Sequence, residues 1–327
     1  MRKYLVLLIA LFLPAIGYAA PAITGVSGTV SSGQSITITG TGFGTHSDHN
    51  NLSDTWQGKD FLCFRWNDLE EATVDQNGFA APAEGYCSIN TETIHAGSQS
   101  LLSVHGSGAS SPNYHAINSG SGTTWYVAFW YYSTGAGKVL RYSWRPSFQW
   151  GCNFYIGDKG SYDDGCTGST DWHYLPRNAW HFLESLIVFS DSTHYTHTEW
   201  IDGSQVTTAS WCSRLPRSAD GAEVWVPQMV DAGVSTYVDD IYIDYTRAHV
   251  IIGNANTLAG STHREIQIPQ SWSDTSISIT FNQGSFAAED AVYIYVVDSA
   301  GAVNSAGYEV TIGSGSSPST PTITSGG

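Results

Sequence analysis

Charge is scarce in this 327-residue chain and unevenly signed, with 13 Lys+Arg against 29 Asp+Glu and a formal net charge of −16. Charged residues make up 13% of the sequence, about half the roughly 25% of an average globular domain. So few cations exclude nucleic acid as a partner, because phosphate binding needs clustered Lys and Arg. The acidic balance also sets the chain against an anionic membrane surface. Long apolar runs are missing: the longest, Leu5 to Leu13, has nine residues, whereas a membrane-spanning helix needs about 20. Convincing helical stripes are missing too, which excludes a helical bundle or coiled coil. The five cysteines include no Cys-x-x-Cys and no Cys/His cluster with ligand spacing, so a cysteine-bound metal is excluded. What the chain has in quantity is Gly (34), Tyr (18) and Trp (12). Its polarity comes from Ser, Thr and Asn, the composition of a β-rich extracellular protein.

Arg2 and Lys3 precede the apolar run, and Pro14 and Gly17-Tyr18-Ala19 follow it. That order is a secretory signal peptide over residues 1–19, cleaved after Ala19. The mature chain is therefore expected to be secreted or displayed on the cell surface, with no membrane insertion. Export makes Cys63, Cys87, Cys152, Cys166 and Cys212 disulfide candidates. Cys152 and Cys166 bracket a Gly- and Asp-rich stretch and form the favoured bridge. Pairing among the other three is open, and the odd count leaves one over.

Ser35 to Thr39 alternates polar and apolar residues between Gly33 and Gly40, the period-2 signal of a half-buried strand. Pro21-Ala22-Ile23-Thr24-Gly25-Val26-Ser27 and Ile36-Thr37-Ile38-Thr39-Gly40-Thr41-Gly42-Phe43-Gly44 together resemble the start of an IPT/TIG immunoglobulin-like domain. Such a domain needs further strands at once, but a long aromatic stretch follows. Strands of the right character return at His249–Ile252, Arg264–Ile268, Ser276–Phe281, Ala291–Asp298 and Tyr308–Ile312. The resemblance thus implies one discontinuous immunoglobulin-like frame, 20–45 plus 247–313, carrying an insert at 46–246. Two separate modules are the alternative. Residues 314–327, all Ser, Gly, Pro, Thr and Ile, read as a flexible linker.

The insert holds 11 of the 12 Trp. Trp125 to Tyr132 is aromatic on both alternating faces and is expected to be covered on both sides. Lys138–Arg145, His181–Phe189, Tyr195–Ile201 with its Asp202-Gly203 hairpin turn, and Thr236–Tyr245 complete a two-sheet jelly roll. Trp180 with Glu184, Trp200-Ile201-Asp202-Gly203 and Tyr237-Val238-Asp239-Asp240-Ile241-Tyr242-Ile243 look like the last third of a concanavalin A-like, laminin-G-type jelly roll. Trp66-Asn67-Asp68-Leu69-Glu70 resembles its opening strand. This second resemblance implies a curved sheet whose concave face or rim binds carbohydrate. The expected fold class is all-β: an immunoglobulin-like β-sandwich carrying an inserted concanavalin A-like jelly-roll β-sandwich.

Sugar rings stack their C–H faces on Trp and Tyr while their hydroxyls reach polar side chains. Arg141, Trp144, Arg145, Trp150, Tyr155, Trp172 and Tyr174 are the candidate carbohydrate-binding residues, crowded among Gly, Asp and Asn. Packing under long loops is the competing role for any one of these aromatics. Arg141 and Arg145 share a strand face and suit an acidic sugar's carboxylate; an ion pair with Glu184 or a nearby Asp is the alternative. Asp239-Asp240 and Asp68 could supply oxygen ligands, with Asp68 and Asp240 the candidate pair for a structural Ca²⁺. No cofactor is otherwise required. His194 and His197, three apart on a strand, face opposite sides and form no metal pair. His46, Asp48 and His49 read as a solvated loop.

The expected function is carbohydrate binding without cleavage, with a polysaccharide or cell-surface glycan as partner. One alternative is a polysaccharide lyase or hydrolase acting on an acidic glycan, although no catalytic motif is recognisable. The other is a structural or adhesive assembly unit that meets other surface proteins.

Overall fold

Strands from the two ends of the sequence share one sheet. The computed structural model describes residues 19–46, 65–67, 87–104, 115–118, 124–135, 137–144, 149–156, 176–191, 194–213, 222–226, 229–230, 233–313 and 315–316. The strands form three antiparallel sheets, and the fold is all-β, as the composition implies. Among the described residues no helix is long and apolar enough to cross a membrane.

The first sheet runs in the order Tyr308–Thr311, Ala291–Val297, His249–Gly253, Arg264–Trp272, Ser276–Thr280, Ser35–Thr41, Ala22–Thr29 and Gly315–Ser316. Its centre joins the N-terminal segment to the C-terminal one, with Ile38 opposite Ile277 and Ile36 opposite Ile279. The strand Arg264–Trp272 makes the sheet fold over itself. Its first residues pair with His249–Gly253, its last with Ser276–Thr280, and the register shifts between Pro269 and Ser271. Proline lacks the N–H that a continuous ladder needs, so this is where the strand bends. The folded halves enclose Val26, Ile36, Ile38, Phe43, Val250, Ile252, Ile294 and Val296. The Ile-Thr-Ile-Thr alternation supplies the buried Ile36 and Ile38. Gly40 is glycine for a steric reason: a Cβ there would run into the Ala22 carbonyl oxygen and the Phe43 ring.

The second sheet belongs wholly to the segment between these ends, in the order Ser204–Ser213, His194–Ile201, Trp180–Phe189, Thr124–Ser133, Ser235–Asp244, Ser100–Val104 and Cys87–Asn90. Arg65–Asn67 pairs separately with Ile241–Ile243. Thr124–Ser133 lies at its centre, buried from Trp125 to Tyr131 on both faces. Asp202 and Gly203 both take positive φ, 50° and 76°, in the tight hairpin turn that Asp-Gly favours. A third sheet consists of Met229–Val230, Gly137–Trp144, Ala222–Val226 and His115–Asn118, with Gln149–Ile156 on Gly137–Trp144.

The second sheet also packs against the outer face of the first. Tyr126, Ala128, Trp130, Phe182 and Tyr242 from the former meet Ile251, Ile266 and Tyr295 from the latter in one cluster. Burying each large apolar side chain there stabilises by about 1.5–3 kcal/mol.

Two expectations need correction. Gln149–Ile156 is a strand where the sequence reads as loop, because Gly151 and Asn153 dilute its β signal. Gly315–Ser316 pairs with Gly28 and Thr29, so the expected linker begins with an edge pairing; residues 317–327 lie outside the described ones.

Replacing Gly40 with Ala is expected to lower the unfolding free energy by at least about 1–3 kcal/mol, the usual cost of overpacking. A urea titration checks this.

Candidate functional site

Two regions of the molecule concentrate chemistry: one face of the third sheet, and the seam between the first and second sheets.

In the third sheet the register sorts the residues. Arg141 pairs with both Trp225 and Asn153, and Ser143 with both Glu223 and Trp150. Asn118 lies opposite Glu223. Cross-strand partners share a face, so Arg141, Trp225, Asn153 and Ala116 occupy one set of positions with Ser143, Glu223 and Asn118, and Trp150 joins it through Ser143 across a register shift between Arg141 and Ser143. The alternate set holds Tyr142 opposite Val224, Val224 opposite Ile117, and Trp144 opposite Ala222. The first set is the richer in polar residue types, and both sets include aromatic ones. Among the expected carbohydrate-binding residues, Arg141 and Trp150 fall together, and Trp144 falls on the alternate set. Tyr155 pairs with Lys138 beyond a register shift. Arg145, Trp172 and Tyr174 lie outside the described residues. So do Asp68 of the calcium pair and Cys166 of the expected disulfide; Cys152 lies in Gln149–Ile156.

The seam holds charge deep inside. Glu184, on Trp180–Phe189, is buried and accepts a 2.8 Å hydrogen bond from the Tyr126 hydroxyl. Burial raises its pKa, while Tyr126, Arg247 and Arg264 oppose the rise. Arg264 is itself buried and donates through Nη2 to the Leu258 carbonyl at 2.7 Å. The Arg247 guanidinium lies 3.9 Å over the Trp200 ring. Beside this group, opposite Tyr126, Asp244 accepts from the Tyr242 hydroxyl through Oδ2 at 2.6 Å, and His46 Nε2 meets the same oxygen at 2.8 Å. His46 also stacks on Trp272 at 5.2 Å. The expected solvated loop is thus corrected for His46, whose partner is 198 residues away in sequence; Asp48 and His49 lie outside the described residues.

A second group gathers around His95. Its ring stacks on Trp130 with centroids 3.8 Å apart and meets His263 edge-on at 5.8 Å. The backbone N–H groups of His95 and Ala96 donate to Asp239 Oδ2 at 2.9 and 3.2 Å. The Asp240 N–H donates to Asp239 Oδ1 at 3.0 Å. Asp240 has φ of 49° at the register shift between Asp239 and Tyr242, and its Oδ2 lies 3.3 Å from His95 Nδ1. From the first sheet, His263 Nε2 lies 2.9 Å from Glu265 Oε1, and the Ser285 N–H and hydroxyl both donate to that oxygen at 3.0 Å. The His263 ring stacks on Phe286 at 3.9 Å. His95 Nδ1, His263 Nε2 and a Glu265 carboxylate oxygen all lie within 4.8 Å of one another. Burial holds the His95 imidazole down at about 4, against the pull of Glu265. Burial likewise pushes the Asp239 carboxyl up to about 8, against its three backbone hydrogen bonds.

Of these residues, only Asp239 and Asp240 belong to the sequence-based candidates. His95 carries no local signal. His263 and Glu265 do: two apart leading into a strand, they keep to one side by the same rule that separates His194 from His197. The structure keeps that last pair apart, with His194 on exposed Asp191 at 2.8 Å and His197 buried.

Ser185, His197 and Glu199 make a further buried group, in which Glu199 does not orient the ring for Ser185. Ser185 Oγ and Glu199 Oε1 approach the same imidazole nitrogen, Nε2, at 2.8 and 3.3 Å. A serine relay needs one ring nitrogen for each partner.

No known protein family matches this sequence, and no curated protein matches it. Solved structures overlap it distantly. An endo-β-1,4-glucuronan lyase from the fungus Trichoderma reesei covers 55% of this chain and 94% of its own, at 14% identity and a TM-score of 0.40. The cellulose-induced protein Cip1 covers 55% and 97%, at 19% identity and 0.40. A marine alginate lyase from Aplysia kurodai covers 55% and 97%, at 11% identity and 0.38. These overlaps are too distant to carry substrate or mechanism across to this chain.

His249, stacked on Tyr126 at 5.0 Å and fully enclosed in the seam, makes stability pH-dependent. Burial, aided by the Arg247 and His46 charges and opposed by the hydrogen bond to the Arg247 carbonyl, lowers its pKa from an ordinary 6.5 to about 3. A base held below its unfolded value contributes stability that is complete above about pH 6.5 and is lost as pH falls toward 3. Thermal unfolding temperatures should therefore drop across that interval, and His249→Phe should flatten the drop.

Proposed function

We propose that this is an exported β-sandwich protein that binds carbohydrate on the polar and aromatic face of its third sheet, without cleaving it. The observation that supports the reading best is the register that puts Arg141, Trp225, Asn153, Ser143 and Trp150 in one set of positions. Aromatic planes beside a cation and amide groups suit a sugar ring, with C–H faces to stack and hydroxyls or a carboxylate to hydrogen-bond. A net charge of −16 with few cations makes Arg141 the more telling, since it brings local positive charge to an acidic molecule.

The same proposal includes the expected domain division. A discontinuous IPT/TIG-like frame over 20–45 and 247–313 would present a concanavalin-like jelly roll over 46–246. The joining of Ser35–Thr41 to Ser276–Thr280 in one sheet supports it. Cleavage after Ala19 and display outside the cell complete the reading. A structural Ca²⁺ at Asp68 and Asp240 belongs to it as well, and calcium-dependent thermal stabilisation would test that part.

The decisive experiment is a glycan array with the mature protein beside Trp225→Ala and Arg141→Ala. Binding to a defined glycan class is expected, weakened about tenfold by either change, a step of 1.4 kcal/mol. Retained binding in both variants would move the site elsewhere, and no binding to any glycan would favour the assembly role. Incubation with uronate polymers, followed by ultraviolet absorbance of unsaturated products, should stay flat. A rising trace would replace the binding reading with a lyase.

A further inference from the structure

The seam holds a group of donors that the carbohydrate reading does not use. We infer that His95, His263 and Glu265 form a binding site for a divalent first-row transition ion of the zinc type, closed only when the second sheet is docked on the first.

The donor set is two imidazoles and one carboxylate, which suits such an ion and not a hard, all-oxygen cation. Protein ligands at about 2.0–2.2 Å from zinc stand about 3–3.5 Å from one another in a tetrahedral site. His263 Nε2 to Glu265 Oε1 is 2.9 Å and His95 Nδ1 to Glu265 Oε1 is 3.9 Å, so the observed spacings bracket the required ones. Small ring movements would bring all three donors onto one ion and leave the fourth position for water.

Each ligand is already aimed. The His95 ring is clamped on Trp130 and the His263 ring on Phe286. The backbone of His95 is pinned by Asp239, an outer carboxylate that fixes the loop carrying the ligand. Glu265 is fully buried, and its Oε2 has no hydrogen-bond partner among the described residues. A carboxylate oxygen left in that state costs about 1–3 kcal/mol or more. Coordination of the carboxylate by a dication offsets the cost, whereas the imidazoles alone meet only Oε1. Asp240 and Glu265 are buried around His95, and the groups that reach Glu265 Oε1 among the described residues are Ser285 and the two imidazoles. A dication supplies the positive charge such a pocket calls for. His263 keeps 28% of its side chain exposed, which gives the ion a way in.

The test uses the mature protein stripped with a chelator and titrated with Zn²⁺, Co²⁺ or Ca²⁺. One Zn²⁺ per chain is expected by calorimetry, together with a visible Co²⁺ spectrum of tetrahedral intensity that Zn²⁺ abolishes. His263→Ala and Glu265→Gln should each weaken Zn²⁺ by more than the roughly 10–100-fold typical of losing an outer-shell partner. Asp239→Asn should fall within that range. His194→Ala, at a part-exposed histidine on a different strand of the second sheet, should leave affinity unchanged. Circular dichroism of each stripped variant separates loss of the site from loss of the fold, and the part-exposed His263 is the change the fold tolerates best. Failure of Zn²⁺ to bind, binding that survives both His263→Ala and Glu265→Gln, or a response to Ca²⁺ alone would overturn the inference. None of these outcomes bears on glycan binding, which is read separately.

Discussion

The strand Thr124–Ser133 carries bulky aromatic residues on both faces, and water must be kept from both. Tyr126, Ala128 and Trp130 lie against the first sheet, while Trp125, Val127, Phe129 and Tyr131 are equally buried on the other side. A two-layer sandwich leaves one face of each sheet to solvent. This strand does not permit that arrangement, because without the first sheet Tyr126 and Trp130 would be exposed side by side with Phe182 and Tyr242. The architecture follows: the second sheet is an inner layer, covered on one face by the first sheet through Ile251, Ile266 and Tyr295. The chain path fits the same demand. The segment that leaves the first sheet after Thr41 and rejoins it at His249 is tethered at both ends beside the face it must cover.

Covering that face brings polar groups inside as well, and they sort by position. Midway along the seam Glu184 lies opposite Ala128 and sits with Tyr126, Arg247 and Arg264. Toward one end Asp244, opposite Tyr126, is held by Tyr242 and His46. Toward the other, Asp239, Asp240 and Glu265 surround His95 and His263. Apolar contact alone would allow the sheets to slide over one another. A buried carboxylate tolerates little displacement, because losing its partner leaves a charge in a medium that cannot solvate it. The polar groups therefore fix the register in which the two sheets dock, while the aromatic contacts supply most of the stabilisation.

The strands were largely legible because period-2 alternation is local. Ile36 and Ile38, the double-faced run at Trp125–Tyr131 and the Asp202-Gly203 turn all declare themselves within a few residues. Gln149–Ile156 was hidden because Gly151 and Asn153 interrupt the same signal. The candidate sites divide in the same way. Arg141 and Trp150 were visible as an aromatic and cationic crowding, but their association with Trp225 depends on a register that the sequence does not reveal. The seam polar groups were the least legible. His46 and Asp244, or His95 and Asp240, are separated by 198 and 145 residues, and nothing in either local sequence announces the other. Only His263 and Glu265, two apart, offered a pattern that a strand converts directly into proximity.

That division explains why the donors around His95 fall where they do. The second sheet contributes His95, on a loop positioned by the bulge at Asp239 and Asp240; the first contributes His263 and Glu265, beside an edge of Arg264–Trp272 that Asn282 and Ser285 cover through their contacts with Gln267 and Glu265. Neither half alone brings two imidazoles to one carboxylate. An ion held there would gain its affinity from the docked arrangement and return the same free energy to docking, since any ligand that binds only the assembled state stabilises it. The aromatic strand that demands cover on both faces is thereby also what assembles the donor set, with Trp130 at once a core residue and the platform on which His95 is stacked.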